Sequence, residues 1–528
     1  MSKFFGAVGM ALSAAAFTAL TVTACSSSQP SKPKSPEAPA METHAAAAPI
    51  TAPAKIGAWG VNLEDHDPAV KAGDDFYRYA IGHWLDTNQI PADRTSWSTF
   101  AVLADEAERQ LRQIVEGLPA NAASGTNEQK VGDYYRAFLD TDAIEKLGLA
   151  PVRASLDAIA SVRTHEDVAR IMGRPDMPVR APVREGVTVD QKNPDRYIVA
   201  VSQGGLGLPE RDYYLKDDPK LVEIRGQYKA HIERMLTLAG EKNAAEQAKS
   251  ILDLETQIAR IHWPIAKRRE RNLTYNLRTR EELEKLAPDY PWQAQLAASG
   301  IAAQREFVVR ELDAVEGLGK MFTQVPVATW RSYLTYHFFA NTSDTLPKAF
   351  DDERFGFYGH TLNGQPEQRD RWKRAIAGLD GSLGEALGQL YVAKYFPPES
   401  KAKMVSLVEN LRAAYAVRVK ELPWMSEATK KAALEKLATF RPKIGYPDKW
   451  RDYSALEIRA GDAYGNSIRA AVADWDRDVD RLGKPTDRDE WGMTPQTVNA
   501  YYNPTFNEVV FLLLFCSRLT LIPMPIRL

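Results

Sequence analysis

The sequence predicts a mainly α-helical protein of more than one lobe, with short β-hairpins set between the helices. Three observations predict it. Apolar residues recur at helical spacing over long windows, whereas alternating, β-branched stretches are few and brief. Gly, Pro and Asn clusters bound those brief stretches. A chain of 528 residues also exceeds what one hydrophobic core ordinarily serves, so two or more lobes are expected.

The helical pattern is clear in several segments. Leu103, Ala107, Leu111, Ile114, Val115 and Leu118 mark one amphipathic helix, and Val131, Tyr134, Tyr135, Phe138 and Leu139 the next. Ile251, Leu254, Ile258 and Ile261 lead to His262-Trp263-Pro264, and Met404, Leu407, Val408, Leu411, Tyr415 and Val419 form a later stripe. Gly73-Asp74-Asp75-Phe76-Tyr77-Arg78 is an aromatic-rich helix start, followed by His83 and Trp84, with His83 expected to pack rather than to catalyse. His262 is a candidate site residue, although a helix-end imidazole packed on Trp263 accounts for it. Arg369 to Arg374 is a basic run expected to be a solvated helix face.

His165-Glu166 begins like a His-Glu-x-x-His zinc helix, but Ala169 stands four residues on. Two imidazoles at i and i+4 are needed to place both ligands on one helical face. Thr164 as N-cap and Asp167 at the third helical position explain the stretch instead. Gly186 to Val189 and Tyr197 to Ser202 read as strands joined by an Asn193-Pro194-Asp195 turn. The following glycines, in QGGLGLPERDYYL from Gln203 to Leu215, permit close backbone approach and are no dinucleotide fingerprint, since no βαβ order follows.

A net charge of −2 with 26% charged residues argues against a nucleic-acid partner. The two cysteines, Cys25 and Cys516, lie outside the body of the chain and exclude a disulfide framework there. Lys3 followed by the apolar and small-residue run to Ala24 reads as a targeting segment. It ends Val22-Thr23-Ala24-Cys25, which resembles a bacterial lipobox whose cysteine carries lipid; the run is also just long enough for an uncleaved membrane helix. The cysteine directly after small residues favours the lipid-anchored reading, and Ser26 resembles sorting to the outer membrane of a bacterial cell envelope. Residues 26–58 are rich in Pro, Ala and Ser and read as a disordered tether.

Near the other end, Thr497 to Tyr502 and Glu508 to Phe511 read as two short strands joined by a tight Asn503-Pro504 loop. Such an edge can accept an extended peptide as an added strand, and Asn499 would supply an amide that both donates and accepts. A structural hairpin with a solvated Asn fits the same pattern.

The stretch NAYYNP...NEVVF resembles the signature of the neprilysin and endothelin-converting-enzyme family of zinc metallopeptidases, which includes bacterial, PepO-like members. The Asp-Asp-Phe-Tyr start, the Gly-rich loop, Arg269 with Tyr275 and Asn276, and Gly388 to Val392 match it in order, with Glu270 where Asp is usual. The resemblance runs from Asp74 to Phe511. It implies a large helical lobe over 59–450 and the first strands of a thermolysin-like catalytic lobe over 451–511. It also implies that Asn499 and Ala500 bind the backbone of oligopeptide substrates. The family cleaves peptide bonds with zinc held by a His-Glu-x-x-His helix and a downstream Glu; the metal polarises the carbonyl and lowers the pKa of its water to about 7. The histidines here are His44, His66, His83, His165, His231, His262, His337 and His360, and no two are four apart. No catalytic or metal-ligating residue is therefore assigned, no zinc is expected to bind, and the 528 residues are expected to be inactive. A non-catalytic envelope lipoprotein that binds peptides or partner proteins is the alternative.

Residues 512–528 depart from the family pattern. Permitted codons for Leu512 to Leu528, read two bases on, spell AAILQPPYFDPDADPA, which resembles the family's continuation. A single-base deletion or sequencing error after Phe511 is the expectation, and the gene's nucleotides test it directly.

Overall fold

The computed structural model describes residues 63–396 and 398–512. The lipobox cysteine Cys25, the tether and the tail beyond Leu512 fall outside the described residues. The longer helices are α1 (Phe76–Thr87), α2 (Thr99–Glu116), α3 (Asn127–Leu139), α4 (His165–Gly173), α5 (Pro219–Leu238) and α6 (Ala244–Ile261). They continue as α7 (Leu312–Gln324), α8 (Val327–Thr342), α9 (Arg371–Tyr395), α10 (Pro398–Glu421), α11 (Glu427–Ala438) and α12 (Ala463–Asp480). Seven short strands complete the order: β1 (Val183–Val189), β2 (Tyr197–Gln203), β3 (Asn276–Thr279), β4 (Glu306–Val309), β5 (Arg441–Gly445), β6 (Ala500–Asn503) and β7 (Glu508–Leu512).

Capping chemistry starts several helices where the sequence indicates. The Thr164 hydroxyl accepts from Asp167 N and the Asp167 carboxylate accepts from Thr164 N, a reciprocal box that opens α4. The backbone bonds and the Arg170 ion pair hold the Asp167 carboxyl down at about 2. Asp218 caps α5 with Pro219 in its first turn, where a missing N–H costs nothing.

Two hydrophobic cores organise the chain. The first is built on α4 to α8 and on one face of a sheet ordered β1-β2-β4-β3. In it β1 and β2 are antiparallel, as the sequence indicates, while β4 joins β2 in parallel and β3 closes antiparallel on β4. Helix α8 lies largely inside this core with Trp330, Tyr333, Leu334, Tyr336, Phe338 and Phe339 all buried, while the narrow face of Ala328, Arg331, Ser332 and Thr335 reaches the surface. The second core joins α2, α3 and α9 to the first turns of α10 and to Ile444 of β5.

Two expectations need correction here. On α10 only Met404 and Val408 are buried, whereas Leu411 and Tyr415 are exposed. The helix outruns the core that its first turns pack against, so periodicity alone overstates burial. The basic run at the start of α9 is not a solvated face either. Arg369 pairs with Glu108, Lys373 with Asp93 at 2.6 Å and Arg374 with Asp351 at 2.6 Å, while Arg371 Nε donates to the Phe138 carbonyl at 2.8 Å. The run ties α9 to α2, α3 and the chain around Asp351, and its charges are largely covered.

Candidate functional site

The second sheet has the order β5-β7-β6, with β5 parallel and β6 antiparallel to the central β7. It joins segments from either side of residue 450. Its placement begins on α9. Gly384 and Gly388 leave room for the incoming chain: a Cβ on Gly384 would lie 2.5 Å from Thr494 Cγ2, and one on Gly388 3.1 Å from Pro495 Cδ. Thr494 Oγ1 donates to Asp380 Oδ1 at 3.0 Å, and Gln496 Nε2 donates to the Gly384 carbonyl at 2.8 Å. The residues leading into β6 are thus fixed to a helix.

Beneath the sheet, Lys443 Nζ and Glu508 Oε2 form a buried pair at 2.8 Å, and Lys443 also donates to the Glu490 carbonyl at 2.9 Å. The Glu490 carboxylate is held by Arg477 and Arg481 at the end of α12. Gly492 N donates to the Tyr501 oxygen at 2.8 Å, and burial pushes that hydroxyl up to about 12.

Strand β6 pairs only with β7, so among the described residues its other edge is open. Leu512 N donates to the Asn499 carbonyl at 3.4 Å, which sets the alternation of the ladder. By that alternation Tyr501 and Asn503 face β7, while the backbone groups of Ala500 and Tyr502 face outward. Asn499 is exposed and lies one residue before the strand rather than within it. Its Oδ1 accepts from Ala500 N at 2.8 Å, so the outward Ala500 N–H is already engaged. The expected donor-and-acceptor amide is therefore reduced to its Nδ2 donor. The Ala500 carbonyl and both backbone groups of Tyr502 remain for an added strand.

The described histidines do not converge. His165 Nε2 bonds the Val325 carbonyl at 2.8 Å, and His83 is exposed rather than packed. His262 ends α6 and donates to the Gly204 carbonyl at 3.0 Å, so that carbonyl and not a stacked Trp263 ring positions it. His231 faces Glu353 and His337 faces Glu255, each at 2.8 Å. Among the described residues no three His, Cys, Asp or Glu side chains form a group able to hold a metal ion. The donor set of the described residues does not fit a zinc site.

Sequence reasoning missed the anchor of the glycine loop. Glu255 on α6 is fully buried and accepts from Gly207 N at 3.1 Å, Tyr214 OH at 2.5 Å, Tyr228 OH at 3.1 Å and His337 Nε2 at 2.8 Å. A Cβ on Gly207 would fall 1.8 Å from the Tyr228 hydroxyl, so glycine is required there. The available signal was a carboxylate placed on the stripe of Ile251, Leu254 and Ile258.

The sequence model of peptidase family M13 matches residues 72–447. This chain belongs to peptidase family M13. Human endothelin-converting enzyme 1 is 30% identical over 469 residues, covering 85% of this chain and 61% of its own length. The chain thus spans about 61% of the curated M13 relatives it matches. The crystal structure of the zinc metalloprotease Zmp1 of Mycobacterium tuberculosis, solved with an inhibitor, superposes with a TM-score of 0.82 at 38% identity, over 87% of this chain and 70% of that one. PepO from Lactobacillus rhamnosis shares the fold at 21% identity and a TM-score of 0.76, covering 84% of this chain and 71% of that chain. These likenesses agree with the helical fold and the family resemblance legible in the sequence. Asn499 and Ala500 lie beyond the residues that the M13 sequence model matches.

Proposed function

We propose that this chain is the peptide-holding portion of an M13 zinc metallopeptidase, gripping an extended oligopeptide along β6, and that these 528 residues do not themselves hydrolyse it. The outward backbone of Ala500 and Tyr502 on an open edge strand carries the first half of this reading. The second half rests on histidines of which no two stand four apart, and on the separate partners of His165, His231, His262 and His337. Zinc would polarise the scissile carbonyl in an intact relative; no step is assigned to it here.

Tyr502→Pro gives a direct test. Proline is tolerated where a strand N–H faces outward, so the ladder to β7 is kept while the outward donor is lost. Binding of an end-blocked peptide, measured by calorimetry, is expected to weaken about fivefold, in line with the loss of one hydrogen bond. Equal affinity in both proteins would refute the docking edge. Chelator-sensitive cleavage of a nonapeptide by the purified 528-residue chain would refute the inactivity.

The lipobox pattern at Cys25 supports anchoring in a bacterial cell envelope, most simply at the outer membrane. Cys25→Ser is expected to move the protein from the membrane pellet to the soluble fraction. Retention in the pellet would favour the membrane-helix reading of the same segment.

A further inference from the structure

We propose that one end of the first sheet is an anion site for a carboxylate carried by an oligopeptide, formed by Arg184, Arg310 and Arg268. The placement comes from strand register. Arg184 of β1 pairs with Ser202 of β2, and β2 runs parallel to β4 with Val201 opposite Val309. Arg310 follows directly, its N–H donating to the Val201 carbonyl at 2.9 Å. Paired positions across a sheet project to one face, so Arg184, Ser202 and Arg310 form a row on the side away from the Val199, Val201 and Val309 core. The Arg184 side chain lies over Gly204, its Cδ 3.3 Å from where a Cβ would stand.

The charges in this row are not balanced. The Arg184 and Arg310 side chains make no hydrogen bond or ion pair among the described residues. Arg268 Nε donates to Glu311 Oε1 at 2.8 Å and Gln203 N to the other oxygen at 3.0 Å, so this one carboxylate stands against three guanidinium groups. Arg211 stands nearby with Asp212 only at 4.0 Å. Arg184 keeps an exposed edge, yet burial, then Arg268 and Arg310, pull its guanidinium below its ordinary range, with Glu311 opposing them. Converging cations in a partly desolvated place repel one another, and a bound anion removes that repulsion. Guanidinium forks match a planar carboxylate in two parallel bonds, and the Ser202 hydroxyl adds a donor without a partner among the described residues.

The choice of an oligopeptide as the carrier rests on the peptide-holding function proposed above; the cationic row itself does not. Calorimetry on the full chain separates the two, using three octapeptides of one neutral sequence. One is blocked at both ends, one has a free C-terminal carboxylate, and one is blocked but carries a single Glu. A carboxylate-bearing peptide is expected to bind about tenfold tighter than the blocked one. If the free-acid peptide gains, the site reads chain ends; if the Glu peptide gains, it reads side chains. Arg184→Gln and Arg310→Gln should each erase the gain and leave the blocked peptide unaffected. Neither side chain has a described hydrogen bond or ion pair to lose, and thermal unfolding by circular dichroism checks that each variant is folded. Equal binding of all three peptides, a gain that survives both variants, or Arg184-dependent binding of inorganic phosphate tighter than either carboxylate peptide overturns the proposal. If all three bind equally but Tyr502→Pro weakens them, the edge-strand function stands and the anion site falls. If the carboxylate gain depends on Arg184 but Tyr502→Pro changes nothing, the reverse holds.

Discussion

Glu255→Ala is expected to destabilise the first core by about 4 kcal/mol, because removing one member of a buried, charge-assisted network strands the others. Four groups converge on this carboxylate: Gly207 N, the hydroxyls of Tyr214 and Tyr228, and His337 Nε2. Each is buried, so none can turn to water when the acceptor is gone. The midpoint of urea unfolding, followed by tryptophan fluorescence, should fall markedly. Glu255→Gln keeps the volume and part of the bonding and should fall less. Wild-type-like unfolding of Glu255→Ala would show that the glycine loop is held by packing alone.

Acid is expected to weaken the same core in a definite window. Burial, opposed by the bond to Gly204, pulls His262 down to about 4, and Arg268, Arg211 and Arg184 pull in the same direction. Burial also lowers His231 and His337, even though Glu353 and Glu255 face them. The folded-state values lie below the unfolded value of about 6.5, so the unfolded chain binds more protons between them. Stability from His262 is therefore complete above about pH 6.5 and declines as pH falls toward 4, and His231 and His337 change it in the same direction. For His262 the span corresponds to about 3 kcal/mol. Calorimetric melting at pH 7.5 and 4.5 should show the drop, and His262→Gln should reduce it while keeping a donor for Gly204. An identical drop in the variant would rule out His262 as a source.

Most helices were legible because their apolar stripes are long and their caps conventional, as at Thr164 and Asp167. The β1–β2 hairpin was legible for the same reason: alternation bounded by turn residues. Strands β3 and β4 were not, since four residues give too little period, and β4 finds β2 in parallel across roughly a hundred intervening residues. The arginine row needed three strands in register, which no local window contains. The hairpin carrying Asn499 was legible, but its side chain's engagement with Ala500 N was not, because both a free and a self-bonded amide suit the same sequence. Burial was misjudged where a periodic helix outruns its core, on α10, and where charges meet distant partners, at the start of α9.

The strand order β5-β7-β6 has a consequence for biosynthesis. Its middle member is the last to be made, so β5 and β6 have no partner when they leave the ribosome. Some seventy residues separate Arg441 from Leu512, which at 5–20 residues per second leaves β5 waiting for about 4–14 s. During that interval nascent β5 is open to mispairing, and Lys443, facing what will become its ion-pair partner, places a bare charge on it that discourages other strands from docking first.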